Sequence, residues 1–218
     1  WLWKRQPETL KEEHKTPLSS QLFVNGFKEF MKYKQAVIFT LVSGLITGSF
    51  MVYLSASQQI FQEQYNLVDE FPFIFAGLAI SVGLATFLNG TLVMRFGMFK
   101  LVKFFSFLFV VTSITYVFIF YGKENPPVEI LVGFFSLQFF SIGFLFGNLR
   151  ALAMQPIGHI AGVGAALNGF ISTIMAVPIA SFIGNWVDKT SIPLFFGFSI
   201  CGILTLVLLQ FVKRHITV

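Results

Sequence analysis

Six hydrophobic runs, each long enough to cross a lipid bilayer, occupy the chain from residue 35 onward. An α-helix needs roughly 20 apolar residues to span the ~30 Å hydrocarbon core of a membrane. No Asp, Glu, Lys or Arg lies in the middle of any run, and the runs are apolar all round, whereas a helix of a soluble protein has a polar face. The predicted transmembrane helices are Gln35–Ser57, Phe71–Val93, Leu101–Gly122, Pro127–Leu149, Gly162–Gly184 and Ile192–Val212.

These runs predict an all-α, polytopic integral membrane protein whose partner is the lipid bilayer. Hydrophobic residues make up 55% of the chain and charged residues 11%, a balance typical of membrane proteins. We expect residues 1–34 to form a cytoplasmic linker and an interfacial helix, residues 35–212 the six-helix bundle, and residues 213–218 a cytoplasmic tail. The connections between the runs are too short to hold a separate catalytic domain.

The distribution of basic residues predicts the orientation of the bundle. Thirteen of the 15 Lys and Arg residues lie before the first run, after the last run, or in the turns on that same side. The opposite side carries only Lys123 and Lys189. Because positive residues are retained in the cytoplasm, both ends of the chain are expected to be cytoplasmic. The net charge of +5 is therefore a topology signal, and no nucleic-acid partner is expected.

Residues that could carry chemistry are scarce. The histidines His14, His159 and His215 all fall in predicted cytoplasmic segments, and no two of them have the spacing of metal ligands. Cys201 is the single cysteine and lies in the middle of the sixth run. There is no phosphate-binding loop, and no carboxylate lies in the interior of a run. The expectation is a protein that is not an enzyme and needs neither cofactor nor metal.

A few polar side chains fall inside the runs at helical spacing. Gln138 and Ser141 share a face of the fourth run, and Asn168 and Ser172 share a face of the fifth. An amide in hydrocarbon is costly unless it finds a partner or water. Serines at such positions usually pack between helices. For Gln138 and Asn168, a contact between helices and a water-filled cavity are about equally good interpretations. Pro178 predicts a kink in the fifth run.

Several segments together resemble the carboxy-terminal half of a major facilitator superfamily transporter, in the Bcr/CflA branch of drug:proton antiporters. The tetrapeptide PETL at residues 7–10 is similar to the start of the loop that joins the two halves in that family. Asn89, Arg95, Phe96 and Gly97 in NGTLVMRFGMFKL resemble the turn between helices eight and nine. The most specific similarity is AMQPIGHIAG, followed by NGFIS, which resembles the segment leading into helix eleven.

The resemblance implies helices seven to twelve of a twelve-helix fold in the bacterial inner membrane. An amino-terminal six-helix half, the missing partner, would supply the other wall of the cavity and the proton-coupling carboxylates. The expected function is proton-coupled efflux of drugs or other small hydrophobic or cationic molecules by alternating access. The alternative is a six-helix membrane protein that transports nothing, such as a channel subunit or a membrane interaction partner.

The resemblance also implies which helices face the substrate, namely the first, second, fourth and fifth runs, with the third and sixth facing lipid. Met94 stands where the family often has an acidic residue beside its arginine. The residues expected to contact substrate are Gln138, Ser141, Asn168, Ser172, Tyr53, Phe134 and Phe170. Those expected at the gating cytoplasmic turns are Asn89, Arg95, Gly97 and His159.

Overall fold

The structure, a computed structural model, describes residue 5 and residues 20–212. This part of the chain is helical with no strand, which confirms the predicted fold class, and six of its helices are long and apolar. The remaining residues of the predicted linker and the predicted tail at 213–218 lie outside the described residues. The helices are α1 (Ser20–Lys32), α2 (Lys34–Gln58), α3 (Phe71–Phe96), α4 (Met98–Phe120), α5 (Val128–Met154), α6 (Ala161–Gly184) and α7 (Ile192–Gln210).

Two short helical segments extend the long helices beyond their predicted ends. A π-helical segment, Gln59–Gln64, continues α2 into what the sequence predicts as a loop. A 3-10 helix, Gln155–Ile160, joins α5 to α6 within the 57-residue stretch Val128–Gly184. The backbone of Ile157 is not helical, with φ −119° and ψ 24°. This break separates two membrane-length helices within that segment.

Burial is unequal among the six long helices. α2 packs against α5, α6 and α7, and α5 packs against α2, α3 and α4. Nine residues of α4 and nine of α7 are buried. In α3, by contrast, only Leu78 and Ala85 are buried, and in α6 only four residues are. α3 and α6 therefore lie at the edges of the bundle and leave most of their apolar surface uncovered by the described residues.

Glycines allow the closest helix contacts. A Cβ on Gly44 or Gly48 of α2 would come within 3.0 Å of the side chains of Met175 and Ile179 of α6. A Cβ on Gly143 of α5 would lie 2.7 Å from the backbone oxygen of Val82 in α3. Gly44, Gly48 and Gly143 thus pack between helices, as small residues in membrane helices generally do.

A hydrogen-bond network centred on Asn125 ties together the connections at one end of the bundle. Asn125 Nδ2 donates to Gln64 Oε1 at 2.8 Å, and Asn125 Oδ1 accepts from the backbone N–H and the hydroxyl of Ser191. Tyr65 donates to the carbonyl of Pro126 at 2.6 Å, and burial raises the pKa of Tyr65 above its ordinary value. We call this end, formed by residues 59–70, 121–127 and 185–191, the outer end because the basic residues predict that it faces outside.

Candidate aromatic groove and polar contacts of the bundle

An apolar groove opens between α2, α3 and α5. Its volume is about 210 Å³, and no charged residue lines it. Its position follows from helical spacing, because side chains three, four or seven residues apart share one face of a helix. We call it the aromatic groove; it is lined by Phe50, Tyr53 and Leu54 of α2, Phe75, Ala79 and Val82 of α3, and Phe139 of α5.

Aromatic contacts hold the walls of this groove in place. The ring of Tyr53 stacks on Phe75 with centroids 6.2 Å apart and meets the edge of Phe139 at 4.5 Å. Phe50 also contacts Phe139, with centroids 5.5 Å apart. Tyr53 is only 1% exposed, and its hydroxyl has no hydrogen-bond partner among the described residues. A buried tyrosine hydroxyl normally finds a partner, so the bundle leaves this polar group unsatisfied.

The chemistry of the groove suits the apolar part of a small molecule. Aromatic faces bind flat apolar rings and also attract cations. A pocket for a drug-sized ligand usually measures about 300–1,000 Å³, and the aromatic groove falls below that range. As it stands, the groove can cover one side of such a ligand but cannot enclose it.

The structure places Gln138 in the contact between α5 and α4. Its Nε2 donates to Ser113 Oγ at 2.6 Å and to the backbone oxygen of Phe109 at 3.2 Å. Phe134, one turn earlier on α5, packs its ring against Tyr116 of α4 with centroids 5.1 Å apart. Both residues therefore lie on the α4 side of α5, and neither lines the aromatic groove.

Asn168 and Ser172 lie together in the contact between α6 and α2. Asn168 Nδ2 donates to Thr40 Oγ1 at 2.7 Å, and the hydroxyl of Ser172 donates to the backbone oxygen of Thr40 at 3.5 Å. Ser141 is buried and bonds back to Leu137 of its own helix. Phe170 of α6 is 62% exposed. Of the seven residues expected at the substrate, Tyr53 is the one that borders the aromatic groove, and substrate contact by all seven stays a prediction.

The residues expected at the gating turns lie at the end of the bundle opposite the Asn125 network. Asn89 of α3 accepts a hydrogen bond from Asn148 Nδ2 of α5 at 2.7 Å. Gly97 joins α3 to α4 with φ +80°, a backbone conformation that favours glycine. Arg95, on the turn before it, lies over the ring of Phe96 at 5.3 Å from the centroid.

His159 contacts the surface helix α1 rather than α3. Its Nε2 is 3.7 Å from Glu29 Oε1, and its ring lies 5.9 Å from that of Tyr33. Lys32 also donates to Glu29 at 2.7 Å. This hydrogen bond holds the pKa of Glu29 below its ordinary value and the pKa of Lys32 above its own. His159 thus joins the segment between α5 and α6 to α1, and a gating role for it stays a prediction.

Sequence reasoning missed most of the aromatic groove and the partner of Asn89. Phe50 and Phe75 contribute to the groove, but with 30 Phe in the chain no aromatic stripe stands out. Asn148 lies on the same run as Gln138, yet nothing in the sequence indicates that it bonds to Asn89. Pairing of this kind depends on which helix faces become neighbours, and apolar spans carry little signal for that.

Curated proteins similar to the chain include two from bacteria. The chain is 26% identical over 192 residues to an uncharacterized MFS-type transporter, YdgK, of Bacillus subtilis, across 87% of this chain and 47% of that protein. It is 22% identical over 216 residues to a bicyclomycin resistance protein homolog of Haemophilus influenzae, across 96% of this chain and 52% of that protein. No protein-family model matches the chain. The chain spans about half the length of these relatives, and the similarity supports a relationship to transporters of the major facilitator type.

Proposed function

We propose that the chain forms one half of an alternating-access transporter that exports small hydrophobic or cationic molecules in exchange for protons. The observation that carries the proposal is the aromatic groove, an uncharged aromatic surface within the membrane-spanning part that leaves one side of a ligand uncovered. The names of the similar proteins, one a transporter and one a resistance protein homolog, support a transport function.

Two features of the bundle support a second half as partner. α3 is as apolar as α4, yet it buries only two residues where α4 buries nine. The relatives are about twice as long as the stretch they share with this chain. A second bundle facing the aromatic groove would cover α3 and complete a cavity of drug-binding size.

The mechanism follows from rigid-body motion of the two halves. The Asn125 network fastens the outer connections of this half to one another, and the Asn89–Asn148 pair fastens α3 to α5 near the other end. The half can therefore rock as one unit and expose the aromatic groove alternately to each side of the membrane. The described carboxylates lie in connecting segments, in α1, or in the first turn of α5. The proton-carrying groups accordingly belong to the second half.

Transport in proteoliposomes tests this proposal. The gene product that contains this chain is reconstituted, a pH gradient is imposed, and accumulation of ethidium, a flat hydrophobic cation, is followed by fluorescence. We expect accumulation that depends on the gradient and is abolished by a proton ionophore. Accumulation no faster than in protein-free liposomes, for ethidium and for a panel of neutral hydrophobic compounds, would contradict the proposal.

A further inference from the structure

A second groove, of different chemistry, opens at the outer end on the other side of α2. Its volume is about 260 Å³, and it lies between the end of α2 with its π-helical extension and the end of α6. No acidic or basic side chain lines it. We call it the polar groove; it is lined by Ser55, Ala56, Gln59, Ala180, Ser181, Gly184 and Asn185.

Three polar side chains of this groove have no hydrogen-bond partner among the described residues. The side chains of Gln59, Ser181 and Asn185 make no hydrogen bond to any of the described residues 5 and 20–212. Neighbouring glutamines behave differently. Gln58 donates to Gln62 Oε1 at 2.9 Å, and other outer-end amides join the Asn125 network. The groove thus presents neutral donors and acceptors that no other described residue uses, with Ser181 and Asn185 exposed and Gln59 half-buried.

The two grooves share one turn of α2. Tyr53 and Leu54 border the aromatic groove, and the next two residues, Ser55 and Ala56, border the polar groove. Gln59 is the first residue of the π-helical segment that extends α2 at the outer end. The two grooves therefore lie at neighbouring depths along α2, on two different faces of that helix.

We propose that the polar groove is a second ligand subsite, which binds the hydroxyl or amide groups of an uncharged small molecule on its way out. The inference rests on the proposed transport function and adds a substrate class to it, namely neutral molecules with an apolar ring and a hydrogen-bonding part. A charged ligand group finds no counter-ion among the lining residues. Each neutral hydrogen bond is worth about a two- to tenfold change in affinity.

Two coumarin probes test the subsite in the purified gene product that contains this chain. 4-Methylumbelliferyl glucoside has a flat ring and neutral hydroxyls, and 7-methoxy-4-methylcoumarin has the ring alone. We expect Gln59→Leu and Asn185→Leu each to weaken glucoside binding about two- to tenfold, with methoxycoumarin binding unchanged. Gln62→Leu is the matched control, because it lies on the same π-helical segment outside the groove, and it should alter neither probe.

The outcomes separate the subsite from the proposed function. Retained methoxycoumarin binding shows that a variant is folded, and unchanged glucoside affinity in such a folded variant overturns the subsite alone. If a variant loses both probes equally, a cysteine placed at Ser181 decides, and failure of the glucoside to protect it overturns the subsite. Absence of glucoside binding to the unaltered protein overturns it as well. A cysteine placed at Ser181 should react with a maleimide and be protected by the glucoside. A cysteine that is unreactive without ligand would show that protein covers the groove and would also refute the subsite. Failure of gradient-driven ethidium transport, by contrast, refutes the transport function.

Discussion

The hydrogen bond between Asn168 and Thr40 gives the sharpest prediction about the bundle. Asn168 is 5% exposed and Thr40 is 1% exposed, and their side chains meet at 2.7 Å in the contact between α6 and α2. Hydrogen bonds between membrane helices are worth about 0.6 kcal/mol on average and up to about 1.7 kcal/mol. Asn168→Leu should therefore destabilise the protein by about 1 kcal/mol and leave its substrate selectivity unchanged.

A double-mutant cycle isolates this bond from the other effects of the substitution. Thr40→Val keeps the shape of the side chain and removes its hydroxyl, and the free energy of unfolding is measured by SDS titration for each single variant and for the double variant. If the bond exists, the double variant should lose about 0.6–1.7 kcal/mol less free energy of unfolding than the sum of the losses in the two single variants. Additive losses would refute the bond. An altered drug profile at unchanged stability would instead place Asn168 at the substrate.

Three further predictions follow from packing, charge and orientation. Gly143→Ala should push α5 away from the backbone of α3 and lower the free energy of unfolding by about 1–3 kcal/mol, measured by thermal unfolding. Gly147 has open space around it, so Gly147→Ala should change that free energy little. Equal losses in the two variants would refute the close contact. The 218-residue chain expressed alone should show no pH-driven efflux, since no carboxylate lies in the interior of a span. Robust efflux by this chain would require an unrecognised proton carrier. A cysteine at Lys123 should react with an impermeant maleimide on intact cells and one at Met94 only after permeabilisation, and the reverse pattern would refute the orientation.

The helices could be predicted from the sequence because a bilayer leaves a spanning chain little choice. Each span must satisfy its backbone internally over a fixed thickness, so hydropathy alone located all six. The segment Gln59–Gln64 was predicted as loop because it is polar, yet it is helical in the structure. Its end is held by Gln64, which bonds to Asn125 sixty-one residues away, and such distant partners leave no local signal.

The candidate site was less predictable for a related physical reason. In a soluble helix the polar face shows which side is buried, but spans that are apolar on every side carry no such contrast. The family resemblance predicts Tyr53 at the substrate, and Tyr53 borders the aromatic groove, whereas Phe50 and Phe75 could not be distinguished from the other phenylalanines. The same ambiguity applies to Gln138 and Asn168, whose partners became evident only once the helices were placed side by side.

The most direct test of the account is ligand binding at the aromatic groove. Ethidium binding to the purified gene product that contains this chain is measured for Phe75→Ala, which removes the ring stacked on Tyr53. The control is Phe87→Ala on the same helix, whose ring is 80% exposed and lies outside the groove. An aromatic contact is worth about 0.5–1.5 kcal/mol, so we expect Phe75→Ala to raise the dissociation constant about two- to tenfold and Phe87→Ala to leave it unchanged. Equal affinity in both variants and the unaltered protein would contradict the account.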